Sequence, residues 1–236
     1  MKKNIRISAM FPCYNDSETI LKLVDSVEVK LKKFTLDYEI IVVDDFSTDG
    51  ARDLLLKKAK ENPKLKVVLH EKNMGYGATI VDGLKNASYE YFFYTDGDGQ
   101  YDPSEIEKLI KILDDDTVLV NGYKISRSDP FYRIIIGKLY NTFMKFFFGI
   151  KLKDIDCDFR IIKKDVFKDE KFFSKSGTIC IEMIKKIELK GCKVKQVGVK
   201  HYEREFGRSQ FFNFKRLFFV FLHLIVLWYN LIAKRV

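Results

Sequence analysis

The amino-acid sequence predicts an α/β fold: a mostly parallel central sheet flanked by helices, with a C-terminal apolar or amphipathic helix. Three observations predict it. Short apolar runs alternate with stretches of helical periodicity, acidic loops directly follow several of those runs, and a 17-residue apolar run lies near the end of the chain. Alternation of this kind builds βαβ units, whose parallel strands are covered by helices.

Taken in order, residues 5–11 read as the first strand. They are too few, and too interrupted by Arg6 and Ser8, for a signal peptide. Further strands are expected at 39–43, 66–70, 91–95 and 118–120, with helices near 17–32, 50–61, 77–88 and 104–113. Asp102-Pro103-Ser104 ends one element, and Pro103 or Ser104 opens the next. The pattern is less regular from about residue 122. An aromatic-rich helical stretch covers 131–148, a helix at 178–190 is stopped by Gly191, and a strand follows at 193–199. No repeat, low-complexity segment or linker appears. Residues 1–210 are therefore read as one domain and 211–236 as a membrane-associating helix.

The chain has 236 residues, enough for one sizeable core. With 47% hydrophobic and 32% charged residues it is neither disordered nor a multi-span membrane protein. The net charge of +9 is uneven: residues 200–236 carry seven Lys and Arg against two Glu. Such an end suits an anionic partner. Nucleic acid is the disfavoured one, because the basic residues cluster beside an apolar tail and not among aromatics on a sheet. Cys13, Cys157, Cys180 and Cys192 show no C-x-x-C spacing and are expected as reduced thiols of an intracellular protein.

The apolar run at 217–233 reaches about 26 Å as a helix, short of a bilayer core of about 30 Å. Arg216, His223, Asn230 and Lys234 would share one face of it. Three readings stand: a helix lying in the membrane interface or docked on a membrane partner, a short or tilted span, or a buried helix or dimer contact.

The strongest chemical signal is Asp96-Gly97-Asp98-Gly99-Gln100, directly after the strand at 91–95. Ligands bind at the carboxyl ends of strands in open α/β sheets. Two carboxylates separated by glycine can turn toward one hard cation, and oxygen ligands suit Mg²⁺ or Mn²⁺. Acids again follow a strand at Asp44 and Asp45, where Ser47 or Asp49 could instead cap the next helix. After the first strand come Pro12, Tyr14, Asn15 and Asp16. There Tyr14 could stack on a base, while Asn15 or Asp16 could serve only as a cap. Asn73–Thr79 imitates half a dinucleotide fingerprint, but Ile80 replaces the third small residue. There is no G-K-[ST] or G-x-S-x-G, and the histidines at 70, 201 and 223 are scattered. Arg160, Arg204 and Arg208 offer guanidinium forks for phosphate.

Together the segments 12–16, 43–50, 73–77, 96–100, 156–160 and 201–209 resemble, in that order, the inverting GT-A-type glycosyltransferases. Within that group they are most similar to the polyprenyl-phosphate sugar transferases such as dolichyl-phosphate mannosyltransferase. The resemblance implies a GT-A fold and transfer of a hexose from a UDP- or GDP-linked sugar to a lipid phosphate at the cytoplasmic membrane face. It implies that Pro12, Tyr14, Asp16, Asp45 and Asp96 line the nucleotide pocket, and that Asp96, Asp98 and Gln100 hold Mg²⁺ or Mn²⁺. It further implies that Asp98, Arg160 and Arg204 are catalytic, with Arg208 joining the two arginines at phosphate. Asp16 stands where other members carry Glu, and one apolar tail replaces the two or more spans that many members have. A membrane partner or a homo-oligomer contact is thus expected through 211–236. The alternative acceptor is a saccharide hydroxyl, which needs a general base, and Glu182 is the candidate. A nucleotidyltransferase and a catalytically dead membrane-recruited scaffold are the competing classes.

Overall fold

Every side chain of Tyr91–Thr95 is buried. A strand with no polar alternation belongs at the centre of a sheet covered on both faces. The computed structural model, which describes residues 2–127, 131–206 and 222–233, places it there as β4. The other strands are β1 (Arg6–Cys13), β2 (Asp37–Asp44), β3 (Leu65–Leu69), β5 (Thr117–Arg127), β6 (Phe159–Lys163) and β7 (Lys193–His201). They form one seven-stranded sheet in the order β3-β2-β1-β4-β6-β5-β7. β1 pairs in parallel with β2 and β4, β2 with β3 and β5 with β7, while β6 runs antiparallel between β4 and β5.

Side-chain alternation along these strands divides the core. Ile7, Ala9 and Phe11 of β1, with Tyr91 and Phe93 of β4, face α1 (Ile20–Phe34), α2 (Ala51–Glu61) and α4 (Ile106–Ile112). Met10, Phe92 and Tyr94 face the opposite layer of α3 (Tyr76–Asn86), α5 (Phe131–Phe148) and α6 (Ile179–Leu189). Phe93 meets Phe159 of β6 edge to face at 5.0 Å. α1 shows how the sequence sets such a layer: Ile20, Val24, Val27 and Leu31 recur on one helical face, and all are buried.

The architecture matches the α/β expectation, with three departures. β5 extends to Arg127 instead of ending at residue 120. β6 was not legible as a strand at all: Arg160 interrupts its apolar run, and its partners lie far away in the sequence. The terminal apolar run does not stand apart from the domain. Over 222–233 it buries Leu224, Leu227 and Leu231 in the second core layer, and its last part, Tyr229–Ala233, is a π-helical turn. Arg216 and Lys234 of the expected polar stripe lie outside the described residues. Among those described, no helix is long and apolar enough to cross a membrane. All four cysteines are free thiols.

Phe93→Ala should lower unfolding free energy by about 3–5 kcal/mol, since it empties the middle of the central strand. A denaturant midpoint shift at unchanged m-value is the measurement, and a shift worth under about 1 kcal/mol would contradict this packing.

Candidate active site

β1, β2 and β4 end at one edge of the sheet, antiparallel β6 begins there, and β7 ends there. From β1 the chain runs outward to β2 and β3 on one side and then crosses over to β4 on the other, so this edge contains a topological switch point, where open α/β sheets form a crevice. Five of the six sequence segments with candidate chemistry leave or enter strands here, and the sixth, 73–77, is bonded to the end of β2 through Asp45.

The loop after β4 is positioned by a close backbone approach. A Cβ at Gly97 would lie 2.2 Å from the Pro12 carbonyl oxygen. The Gly97 carbonyl in turn accepts the Thr19 hydroxyl at 2.7 Å. Asp96 and Asp98 flank that contact, both half-buried. Tyr76, at the start of α3, donates its hydroxyl to Asp96 Oδ1 at 2.7 Å. Burial raises the Asp96 carboxyl well above the ordinary range, and Asp158 and then Asp98 add to the rise. Asp98 accepts the Gln100 amide N–H at 3.0 Å and forms an ion pair with Arg204. The segment carrying Arg204 is bonded to the same loop. Tyr202 N–H donates to the Gln100 carbonyl at 2.8 Å, and the Gln100 side-chain amide donates to the Tyr202 carbonyl at 3.2 Å.

On the β1–β2 side, two loops are laced together. Asn15 and Phe46 take left-handed φ of 58° and 69°. Asn15 N–H donates to Ser47 Oγ, Thr48 N–H to Asn15 Oδ1 and Ser17 N–H to Asp49 Oδ2. Asp49 also accepts the Ala51 N–H at 3.1 Å, but the N-cap of α2 is Gly50, so neither Ser47 nor Asp49 occupies the expected cap position. Asp44 is wholly buried and pairs with Arg52 at 2.7 Å. Asp45 accepts the Met74 and Gly75 N–H groups at 2.6 and 2.9 Å and contacts His70 Nδ1 at 2.7 Å. Its carboxylate thus holds the 73–75 turn against β2. Pro12 is buried, whereas Tyr14 is exposed at the rim. Burial raises Asp16 to about 6. The Tyr14 N–H opposes that rise, and nearby Asp98 adds to it.

On the β6 side, Arg160 is 0% exposed. Its Nη2 donates to the carbonyls of Ile155 and Cys157 and to Asp158 Oδ1, the last at 2.9 Å, and its guanidinium lies 5.3 Å from the Tyr94 ring. Nε and Nη1 are buried without a hydrogen-bond partner. Asp158 also accepts Cys180 Sγ–H at 2.9 Å. Arg160 therefore lies beneath the crevice, whereas Arg204 lies at its mouth. Arg208 lies outside the described residues. Glu182 is fully buried, and its carboxylate accepts the Phe173 and Ser174 N–H groups.

Tyr76 and Asp158 join this arrangement without having been singled out in the sequence. The signal for Tyr76 was its place between two glycines. Gly75 has φ 89°, and a Cβ at Gly77 would lie 2.5 Å from the Ser174 carbonyl oxygen. That close approach sets the helix start, and with it the tyrosine, against the crevice.

The model of the family Glycosyl transferase family 2 matches residues 8–170, which include four of the strand ends that make this edge. The chain belongs to glycosyl transferase family 2. It is a glycosyltransferase with the GT-A fold. This glycosyltransferase is 27% identical over 229 residues to the undecaprenyl-phosphate 4-deoxy-4-formamido-L-arabinose transferase of Serratia proteamaculans, covering 97% of this chain and 67% of that one. The protein of the same name from Yersinia pestis is 26% identical over the same coverage. The fold is shared with glucosyl-3-phosphoglycerate synthase from Mycobacterium tuberculosis, solved with UDP (TM-score 0.71, 16% identity, 95% of this chain and 79% of that one). It is also shared with a mannosyltransferase from Pyrobaculum calidifontis, solved with GDP-Man and Mn²⁺ (TM-score 0.63, 19% identity). That likeness covers 88% of this chain and 59% of that one.

Two outcomes test the site. Gly97→Ala should displace the Asp96–Asp98 loop from Pro12, weakening nucleotide binding at least about tenfold while the fold survives. Isothermal titration with UDP and GDP measures it, and wild-type affinity would refute the close approach. Asp16, with its folded pKa raised to about 6, binds more protons folded than unfolded between about pH 4 and 6. Stability must then fall as pH rises through that window. Asp16→Asn should remove that slope in pH-dependent unfolding of the metal-free protein, and an unchanged profile would count against it.

Proposed function

We propose that this glycosyltransferase moves a hexose from a UDP- or GDP-linked sugar to a polyprenyl phosphate at the cytoplasmic face of a membrane, aided by a divalent cation and with inversion at the anomeric carbon. The observation that carries the proposal is the placement of Asp96 and Asp98 on either side of the Gly97–Pro12 backbone approach at the crevice edge, where burial first, and then Asp158 and Asp98, raise the Asp96 carboxyl.

Two neighbouring carboxylates, presenting oxygen atoms only, suit Mg²⁺ or Mn²⁺. Among the described residues, no group of three or more His, Cys, Asp or Glu side chains is gathered to hold a metal. Asp96 and Asp98, with the Gln100 carboxamide, would therefore share the ion with diphosphate oxygens and water, as Mg²⁺ sites commonly do. A bound cation supplies charge neutralisation for the departing nucleoside diphosphate. Tyr14 offers a face for the base, and Pro12, Asp16 and Asp45 shape the pocket, Asp45 through the 73–75 turn it holds. Arg204 exchanges Asp98 for a phosphate oxygen as donor enters. Arg160 contributes a fixed buried positive charge beside Asp158, and Arg208 is the further expected phosphate ligand.

The acceptor's oxygen attacks the anomeric carbon as the bond from that carbon to the diphosphate oxygen breaks. A lipid phosphate is already an anion and needs no general base, whereas a hydroxyl acceptor does. Glu182, the base candidate, has its carboxylate committed to two backbone N–H groups. The relatives named for undecaprenyl phosphate support the same choice. Residues 211–236 would attach the enzyme to the membrane or to a partner there.

Incubation with a panel of UDP- and GDP-sugars, Mn²⁺ and either short-chain polyprenyl phosphate or free saccharides should yield product with the lipid phosphate alone. Asp98→Asn should lower that turnover at least about 100-fold. Product from saccharides only would overturn the acceptor, and full turnover by Asp98→Asn would overturn the role of the carboxylate pair.

A further inference from the structure

α5 is apolar on the side that faces away from the domain. Its inner face, with Met144 and Phe148, is buried in the second core layer. Ile135, Leu139, Phe143 and Phe146 recur at steps of four, four and three, and all are exposed, Leu139 at 66% and Phe146 at 88%. At about 100° per residue these four, with Ile136, fall within an arc of about 100°. Lys138 and Lys145, seven residues apart, line one shoulder of that stripe.

The terminal helix continues the surface. Trp228 Nε1–H donates to the Phe147 carbonyl at 2.9 Å, and the two rings lie 5.5 Å apart. While Leu224 and Leu227 face inward, Leu222, Ile225 and Val226 face out. Among the described residues, nothing covers either stripe.

Charge selects the occupant. The 18 residues of α5 contain Arg133, Lys138 and Lys145 and no Asp or Glu. Residues 206–236 likewise contain no acid. A second copy of this chain would set two basic, acid-free faces against each other, whereas a bilayer with anionic headgroups complements both stripe and shoulder. We propose that α5 is a membrane-docking helix, its Ile135–Leu139–Phe143–Phe146 stripe entering the interface of an anionic bilayer beside the terminal helix. The inference extends the membrane reading above to an element outside 211–236. Asn141 adds a link to the site. Its side chain bonds the Lys153 carbonyl and the Ile155 N–H at 3.0 and 3.1 Å, so docking through α5 is tied to the loop that leads to Asp158 and Arg160.

The test is co-sedimentation of the full chain with vesicles of phosphatidylglycerol and phosphatidylcholine, and with phosphatidylcholine alone. Leu139→Glu/Phe146→Glu should weaken binding to the anionic vesicles at least about tenfold. Val29→Glu, at an equally exposed apolar site on α1, should leave it unchanged. Lys138→Gln/Lys145→Gln, which keeps the apolar stripe, should weaken binding to anionic vesicles and not to neutral ones, and it serves if the double glutamate variant fails to fold. Wild-type vesicle binding by Leu139→Glu/Phe146→Glu or by Lys138→Gln/Lys145→Gln would overturn the proposal. So would a wild-type dimer in light scattering that Leu139→Glu/Phe146→Glu converts to monomer with vesicle binding intact. Transfer to a short, water-soluble polyprenyl phosphate should be unaffected by Leu139→Glu/Phe146→Glu, so a failed acceptor assay and a failed docking assay remain distinguishable.

Discussion

The contact between the Gly97 backbone and the Pro12 carbonyl governs the site. A side chain at position 97 would overlap that oxygen, so the first and fourth strands can bring their terminal loops this close only through glycine. Thr19 locks the approach from α1 through the Gly97 carbonyl. Two carboxylates then project on either side of a fixed point, and the electrostatics follow from their spacing. Asp96 is driven toward its neutral form by burial and by its acidic neighbours, while Asp98 is compensated by Arg204. The edge is thus charged unevenly before any ligand arrives. Among the described residues no cation forms an ion pair with Asp96, whereas Asp98 is paired with Arg204.

Much of this was legible in the sequence, and the reason is physical. β4 announces itself because a strand buried on both faces needs no polar alternation, and acids placed directly after it have nowhere to go but the sheet edge. β1 and β2 obey the same grammar. β6 does not. Its five residues include a buried arginine whose partners, Asp158 and the Cys157 and Ile155 carbonyls, only the fold identifies. Arg160 was recognisable as a residue with chemistry, but its depth beneath the crevice was not, because depth depends on β6 entering between β4 and β5. The length of β5 was hidden in the same way by Asn121, Gly122 and Lys124, polar or small residues whose places only strand pairing reveals.

Carboxylates chosen for chemistry and carboxylates chosen for architecture look alike in a sequence. Asp45, Asp49 and Glu182 each accept two backbone N–H groups. All three hold turns around the crevice, and a buried loop amide left unpaired would cost about 1–3 kcal/mol. Asp44 does similar work through Arg52. The acidic signature after β2 is therefore largely scaffolding, and that scaffolding gives the loops after β1 and β2 a defined shape.

The hydrogen bonds between Tyr202 and Gln100 have a further consequence, for the order in which the enzyme matures. They join positions about a hundred residues apart, and the later partner follows the last strand of the sheet. On the ribosome, β1 to β4 and their helices emerge early and can pair among themselves, since their contacts are comparatively local. The carboxylates are then in place without their countercharge. Arg204 arrives only after β7 has been synthesised and has added to the far side of β5. Capture of an anionic substrate thereby waits on completion of the sheet, and a nascent chain lacking its last strand carries a half-built, electrostatically unbalanced cleft.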